Sequence, residues 1–282
     1  MPELPEVETV VRDLRREQLV GRRILEATVH WPRTIATPAA TALPSRLRGQ
    51  SVSAVTRRAK YIAIALSGGE TLFIHLRMSG GLRFAAHTLP RNKHEHVILH
   101  LDDGRDLRYH DPRKFGRWHL VADPATITGE LGPEPLEAAF TSAILGRQLA
   151  GHARMLKPLL LDQHIVAGLG NIYVDEALWA ASLHPCRRSD SLKPAELRAL
   201  HAAIRAVLRR GIRSKGTTLG RGASNFYSVA GRRGRNQDGL SVFRRTGEPC
   251  PRCHHTVTRL IVGQRSTHIC PNCQPTPRRH RG

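Results

Sequence analysis

The chain is short of acidic residues and of aromatic ones. Asp and Glu total 23 against 44 Lys and Arg, leaving a formal charge of +21 with His neutral. That surplus points to a polyanionic partner: DNA, RNA or an acidic membrane surface. Phe, Trp and Tyr number only 13 in all, too few for the stacking platforms on which RNA is usually bound. No apolar run approaches the ~18 residues that span a bilayer. The opening MPELPEVETV carries Glu3, Glu6 and Glu8 where an export signal is basic and then apolar. Export is therefore not expected, and the expected setting is the cytoplasm. Cysteine is scarce and odd in number: five, four of them within residues 250–273. This distribution argues against a disulfide scaffold. Internal repeats are lacking too.

What is present is 282 residues, 40% of them hydrophobic, enough for about two domains with real cores. Residues 6–20 read as a helix, with Val7, Val10, Val11 and Leu14 at helical spacing and Gly21 as a stop. From about Arg23 to Val121 short strands follow, at 24–29, 51–56, 61–66, 71–76 and 97–101. Many short strands at this spacing suggest an antiparallel sandwich or barrel. A break comes at Leu131-Gly-Pro-Glu-Pro135. Helical periods then cover 136–149, 155–161, 172–181 and 195–210. Residues 216–239 are rich in Gly, Ser and Arg and read as a mobile loop.

Cys250-Pro-Arg-Cys253 and Cys270-Pro-Asn-Cys273 are two C-x-x-C pairs with 16 residues between them. This is the spacing of a four-thiolate structural zinc site. The intervening residues can form a hairpin, with strands at 257–262 and 266–269 and a turn at Gly263-Gln264. A redox C-x-x-C would occur once, and a module this small has too little core to fold without a staple. His254, His255 and His268 are expected to face solvent, and Cys186 to be a plain semi-buried thiol. Arg265, at the tip of a rigid hairpin on a basic protein, is a candidate phosphate contact.

Pro2 follows the initiator Met, and its small size permits Met removal. That would leave a secondary amine as the chain terminus. An α-amine has a pKa of about 7.7–8.0, so it is partly neutral and nucleophilic at cellular pH. It can attack an aldehyde-like carbon to give an iminium ion. Glu3, beside it, can act as a general acid.

Met1-Pro-Glu-Leu-Pro-Glu-Val-Glu8 resembles the N-terminus of the bifunctional formamidopyrimidine-DNA glycosylases. The similarity continues through Arg58-Ala-Lys60-Tyr61, His75-Leu-Arg-Met78-Ser-Gly80 and Lys93-His94-Glu-His96. It goes on through Asp111-Pro-Arg113-Lys-Phe115-Gly116, Leu131-Gly-Pro-Glu-Pro135, Gly168-Leu-Gly-Asn171-Ile-Tyr173 and the cysteine module with Gln264-Arg265. Order and spacing together make the resemblance specific over nearly the whole chain.

The resemblance implies an α+β multidomain fold. An N-terminal antiparallel β-sandwich (1–134) precedes a helix–two-turn–helix domain with a lesion-recognition loop (135–235), a β-hairpin zinc finger (236–274) and a basic tail (275–282). DNA would lie in the cleft between the parts. The implied activity is excision of oxidised purines, 8-oxoguanine and formamidopyrimidines, from damaged double-stranded DNA, followed by β,δ-elimination. Pro2 becomes the Schiff-base nucleophile at the sugar C1′, Glu3 the general acid and Glu6 a supporting carboxylate. Lys60 is assigned to proton transfer and phosphate contact in β-elimination and Arg265 to δ-elimination. Met78, Arg113 and Phe115 fill the gap left by the extruded base and meet the opposite cytosine. His94, Lys157 and Asn171 match DNA contacts, His152 stands where the family carries a DNA-contacting Lys, and Glu176 matches an acid near the lesion. One structural zinc on Cys250, Cys253, Cys270 and Cys273, a monomeric state and a bacterial source complete the expectation.

Read alone, Met78 and Phe115 are core residues, Lys60 is a solvated charge, and Trp179 and Leu183 are helix core. The loop departs from the family's usual pattern near Asn236 and at Val242-Phe-Arg-Arg245. The rival readings are an endonuclease VIII-like enzyme for oxidised pyrimidines and a non-catalytic zinc-finger DNA-binding protein. Leu4, Met78 and the Arg-x-Phe set speak against the first, and an intact Pro2-Glu3 pair with Lys60 against the second.

Overall fold

A computed structural model describes residues 2–220, 222 and 225–277. The last five residues of the expected basic tail, and Met1, lie outside the described residues. The chain forms two compact units, Met1–Glu130 with Gly211–Gln237, and Leu131–Arg210 with Asp238–Gly282.

In the first unit, helix α1 spans Leu4–Arg16 rather than residues 6–20. It starts early because Glu3 and Glu6 form a capping box and Pro5 suits the first turn. It stops before Gly21 because Gln18 takes a positive φ of 58°. The Gln18 N–H then reaches the Arg15 carbonyl and the Leu19 N–H the Leu14 carbonyl, each at 3.0 Å. This is a Schellman cap closed by a residue other than glycine. Leu19 and Leu14 are both buried in the same cluster.

The strands are β1 (Ile24–Val29), β2 (Ile35–Thr37), β3 (Val52–Arg58), β4 (Tyr61–Leu66), β5 (Thr71–His75), β6 (Gly81–Ala86), β7 (Glu95–Leu101), β8 (Arg105–His110) and β9 (Arg117–Val121). They make a four-stranded sheet, β1-β7-β8-β6, and a five-stranded sheet, β2-β9-β5-β4-β3. The two sheets share one buried cluster. It holds Ile62, Leu72 and Ile74 of one sheet, Leu99, Leu107 and Tyr109 of the other, and Val7, Val10 and Leu14 of α1. All pairings are antiparallel except the short edge strand β2, which runs parallel to β9.

The second unit carries α4 (Ser142–Ala150), α5 (Leu156–Leu161), α6 (Asn171–Ala180), most of α7 (Pro194–Arg213) and a hairpin, β10 (Thr258–Val262) and β11 (Arg265–Ile269). Two short helices, α2 (Leu43–Leu47) and α3 (Ala125–Thr128), belong to the first unit. The helix expected from residue 136 begins only at Ser142. Thr141 caps it through its hydroxyl, and the Arg205 guanidinium takes the carbonyls of Pro135, Leu136 and Glu137. Between α5 and α6 the two turns are stitched by one side chain. Gln163 donates to the carbonyls of Leu161 and Leu169 and accepts from the Gly168 N–H, at 2.9–3.0 Å.

Candidate functional site

Pro2, Glu3 and Glu6 are all buried at the start of α1. One Glu6 carboxylate oxygen accepts the Glu3 N–H at 2.9 Å, and the other accepts the Thr217 N–H at 2.7 Å. Glu6 therefore fixes the backbone beside Pro2 and ties it to the segment after α7. Gly216 makes this approach possible. Its φ is +81°, and a Cβ there would come within 3.0 Å of the Glu6 side chain and 2.8 Å of Phe226. Lys60 lies on the two-residue turn between β3 and β4 and is 5% exposed, against its solvated reading. An ion pair from Arg57 to Glu8, at 3.2 Å, and a bond from Arg15 to the Val55 carbonyl hold that hairpin to α1.

His75 ends β5 and shapes the turn into Met78. Its Nδ1 accepts the Arg77 N–H at 3.0 Å. Burial first, then the charges of Arg77 and Lys60, hold its pKa down to about 3, so the ring stays neutral. A depressed folded pKa means that the unfolded chain binds the proton more tightly. Stability linked to His75 is complete above about pH 6.5 and is lost as pH falls toward 3, by a few kcal/mol. Urea midpoints measured across that window should fall with acid in the wild type. They should fall less in a His75→Gln variant, and equal slopes would contradict the assignment.

Met78 and Phe115 are 42% and 47% exposed, against their reading as core residues. The Arg113 guanidinium lies 4.8 Å from the centre of the Phe115 ring. Both loops hang on one buried carboxylate, Asp111. It accepts from the Ser79 hydroxyl next to Met78, and from the N–H groups of Arg113 and Gly116 on either side of Phe115. Tyr109 donates to it at 3.1 Å, and a Cβ at Gly116 would overlap that Tyr109 hydroxyl. The Asp111 N–H in turn reaches the His94 carbonyl at 2.9 Å. Lys114, on the same loop, places its ammonium 3.8 Å from the centre of the Trp31 ring. A cavity of about 370 Å³ opens nearby, between the start of β6 and residues 225–231.

In the second unit Lys157 and Asn171 converge on the hairpin. Both donate to the Ser266 carbonyl at 2.9 Å, next to Arg265. Lys157 is fully buried, its ammonium 2.6 Å from Asp175. Lys157 thus braces the hairpin from inside the protein. Asp175 also takes the His268 N–H and ring, so His268 is buried rather than solvent-facing. Arg265 itself is exposed at the tip, where Gly263 and Gln264 both have positive φ. Glu176 is likewise committed. It accepts from the N–H groups of Ser241, Val242 and Phe243 at 2.9–3.0 Å and from Arg210 at 2.8 Å. Such a nest holds the carboxylate and anchors the start of the atypical 242–245 stretch. His152 is half-buried just after α4.

The four cysteine sulfurs lie within 4.8 Å of one another, with neighbours 3.4–3.9 Å apart. This is close to the edge of a tetrahedron around an ion with Zn–S bonds of about 2.3 Å. Burial and the neighbouring thiols push Cys273 up, while the Asn272 side chain and the His255 backbone draw Cys253 down. Four thiolates in this space require a cation, and the residues fit zinc. Trp179 is half-buried rather than core, and its indole N–H points at the Cys250 sulfur at 3.4 Å. Leu183 is buried but lies beyond the end of α6. Cys186 is half-buried, with its thiol pushed up by burial.

Residues 1–118 match the formamidopyrimidine-DNA glycosylase N-terminal domain, 131–221 its H2TH domain, and 247–276 a zinc finger found in FPG and IleRS. The chain belongs to the formamidopyrimidine-DNA glycosylase family. Relatives from Protochlamydia amoebophila and Herpetosiphon aurantiacus carry that name and are 46% and 47% identical, with 97% of this chain and 99% and 100% of theirs aligned. A Lactococcus lactis FPG point mutant, solved in complex with a Fapy-dG containing DNA, has a TM-score of 0.90 at 36% identity. That match covers 98% of this chain and all of the other. A second Lactococcus lactis Fpg structure, with an abasic site containing DNA, has a TM-score of 0.89 at 36% identity over 97% of this chain and all of that one.

The family's zinc finger and the four gathered cysteines mean one structural zinc. Sequence reasoning missed Asp111, Asp175 and Gln163. Each is an ordinary polar residue whose role depends on partners far away in the chain or on backbone atoms, neither of which leaves a pattern in spacing. For Asp111 the signal available was its place at the head of the Pro-Arg-Lys-Phe-Gly motif.

Proposed function

We propose that this DNA glycosylase and lyase works through the free secondary amine of Pro2. It acts in base-excision repair of oxidised purines in duplex DNA. Pro2 attacks C1′ of the damaged nucleotide, the C1′–N bond breaks, and the base departs with a proton. Glu3 supplies a proton to the ring oxygen, which opens the sugar and leaves an iminium ion. Loss of a C2′ proton, with Lys60 as the proton carrier, expels the 3′ phosphate. A second elimination, assisted by Arg265, expels the 5′ phosphate, and hydrolysis returns the amine. Met78, Arg113 and Phe115 occupy the space the extruded nucleotide leaves. The enzyme is proposed to act as a monomer in the bacterial cytoplasm, on the nucleoid. Its relatives are bacterial.

The supporting observation is the full-length family match together with an intact Pro2-Glu3 terminus buried beside Glu6. The test is a duplex carrying one 8-oxoguanine opposite cytosine, incubated with borohydride. A covalent protein–DNA adduct is expected with it, and a one-nucleotide gap without it. Failure of both on every oxidised purine tried would overturn the reading.

Asp111 provides a sharper check on the gap-filling residues. Asp111→Asn keeps the shape but weakens charge-assisted bonds worth about 1.5–3 kcal/mol each. Both loops should loosen together. Excision opposite cytosine should slow about tenfold to a hundredfold, and discrimination against other opposite bases should shrink. Cleavage of a preformed abasic site in single-stranded DNA should change little. An unchanged opposite-base profile would remove Asp111 from this role.

A further inference from the structure

We propose that His87, His100 and Asp106 form a second metal site, taking a divalent transition ion of the zinc, cobalt and nickel class. The three residues come from neighbouring strands of the four-stranded sheet. His100 on β7 pairs with Asp106 on β8. His87 directly follows β6, and its N–H reaches the Gly104 carbonyl at 3.2 Å. The His100 Nδ1 lies 2.7 Å and the His87 Nδ1 3.1 Å from the same Asp106 oxygen, Oδ1. All three donor atoms fall within 4.8 Å of one another. Donors around a tetrahedral ion at about 2.0–2.1 Å stand roughly 3.3 Å apart, so the two edges that meet at Asp106 need to widen only by tenths of an ångström.

The outer contacts favour ligation. The His100 Nε2 is 3.3 Å from the Thr28 hydroxyl oxygen. In the metal-free structure the Nδ1–H donates to Asp106; an ion would replace that proton, and the Thr28 oxygen can then accept the Nε2–H and hold the ring with Nδ1 toward the site. Arg108 grips the other Asp106 oxygen through Nε and Nη2, at 3.0 and 2.8 Å, which leaves Oδ1 turned toward the histidines. Its charge is shared with Glu95 at 3.3 Å. Asp106 is buried, whereas the His87 side chain is 63% exposed, so the remaining coordination positions open to solvent. Magnesium and calcium are excluded by the donor set. Two of three ligands are imidazole nitrogens, and a chain of charge +21 does not retain a hard cation on one carboxylate. A bound ion would clip the end of β6 to the β7–β8 hairpin.

The test uses the full-length protein with zinc already in the finger, titrated with Co²⁺ by calorimetry and visible absorption. One further ion per chain is expected, with d–d bands but no new thiolate-to-cobalt charge transfer, and with a rise in melting temperature. His87→Gln, at an exposed position, should weaken binding about tenfold or more, and Thr28→Val about 10–100-fold, while both keep one zinc per chain. A His254→Gln/His255→Gln double variant should bind as the wild type does. The site is refuted if the wild type takes up no second ion, if His87→Gln binds it equally well, or if the 254/255 variant is the one that loses it.

Discussion

An extension left on the N-terminus is expected to silence the enzyme without unfolding it. The proposed nucleophile is the nitrogen of Pro2, and acylating that nitrogen turns an amine into an amide with no usable lone pair. Base excision and borohydride trapping should both fall by at least about 10³-fold, the scale on which removing a covalent nucleophile acts. Pro2→Gly separates chemistry from crowding. It keeps a free α-amine but loses the secondary amine and the fixed φ, so trapping should persist at a reduced rate. Because Glu3, next to Pro2, is held by Glu6 at 2.9 Å, an extension can also crowd the site. Affinity for a duplex with a reduced abasic site therefore has to be measured beside activity. Wild-type affinity with no trapping assigns the loss to the amine. Full lyase activity from an uncleaved, tagged protein would exclude Pro2 as the nucleophile.

Much of this architecture was legible because it is local. Strand β4 at Tyr61–Leu66 and the hairpin around Gly263-Gln264 follow from alternation and turn chemistry within a few residues. The four zinc cysteines follow from spacing alone. What could not be read was long-range. Helix α1 ends at a glutamine in the left-handed region, a position where glycine is the usual signal. Residues 136–141 keep a helical pattern, yet the Leu136 and Glu137 carbonyls are taken by Arg205, about 70 residues downstream. The site residues divide in the same way. Met78, Arg113 and Phe115 are named by motif, but the carboxylate holding them together is identified only once β8 is folded. The resemblance makes Lys157 and Asn171 DNA contacts and Glu176 an acid near the lesion. In the fold, Lys157 and Asn171 also brace the hairpin, and Glu176 holds residues 241–243.

That bracing makes the second large effect predictable. Replacing Cys270 by Ser should release zinc, because three thiolates and a hydroxyl hold the ion less well and the finger's own core is small: Val242, Cys250, Val257 and Cys270 are its buried members. Structural zinc contributes about 10–16 kcal/mol to such modules, so the hairpin should lose its order and not merely loosen. DNA affinity, base excision and δ-elimination should then fall together. Arg265→Ala should do less. The zinc remains, β10 and β11 stay paired, and only a charge-assisted phosphate contact worth about 1.5–3 kcal/mol is lost. Products should accumulate at the β-elimination stage, with δ-elimination about tenfold to a hundredfold slower. Asn171→Ala should resemble the arginine variant more than the cysteine one, since it frees the Ser266 carbonyl beside Arg265 but leaves Lys157 bonded to it at 2.9 Å. Elemental analysis and cleavage-product analysis on the three variants separate these outcomes. A Cys270→Ser protein that cleaves damaged duplex at the wild-type rate would break the link between the ion and the arginine.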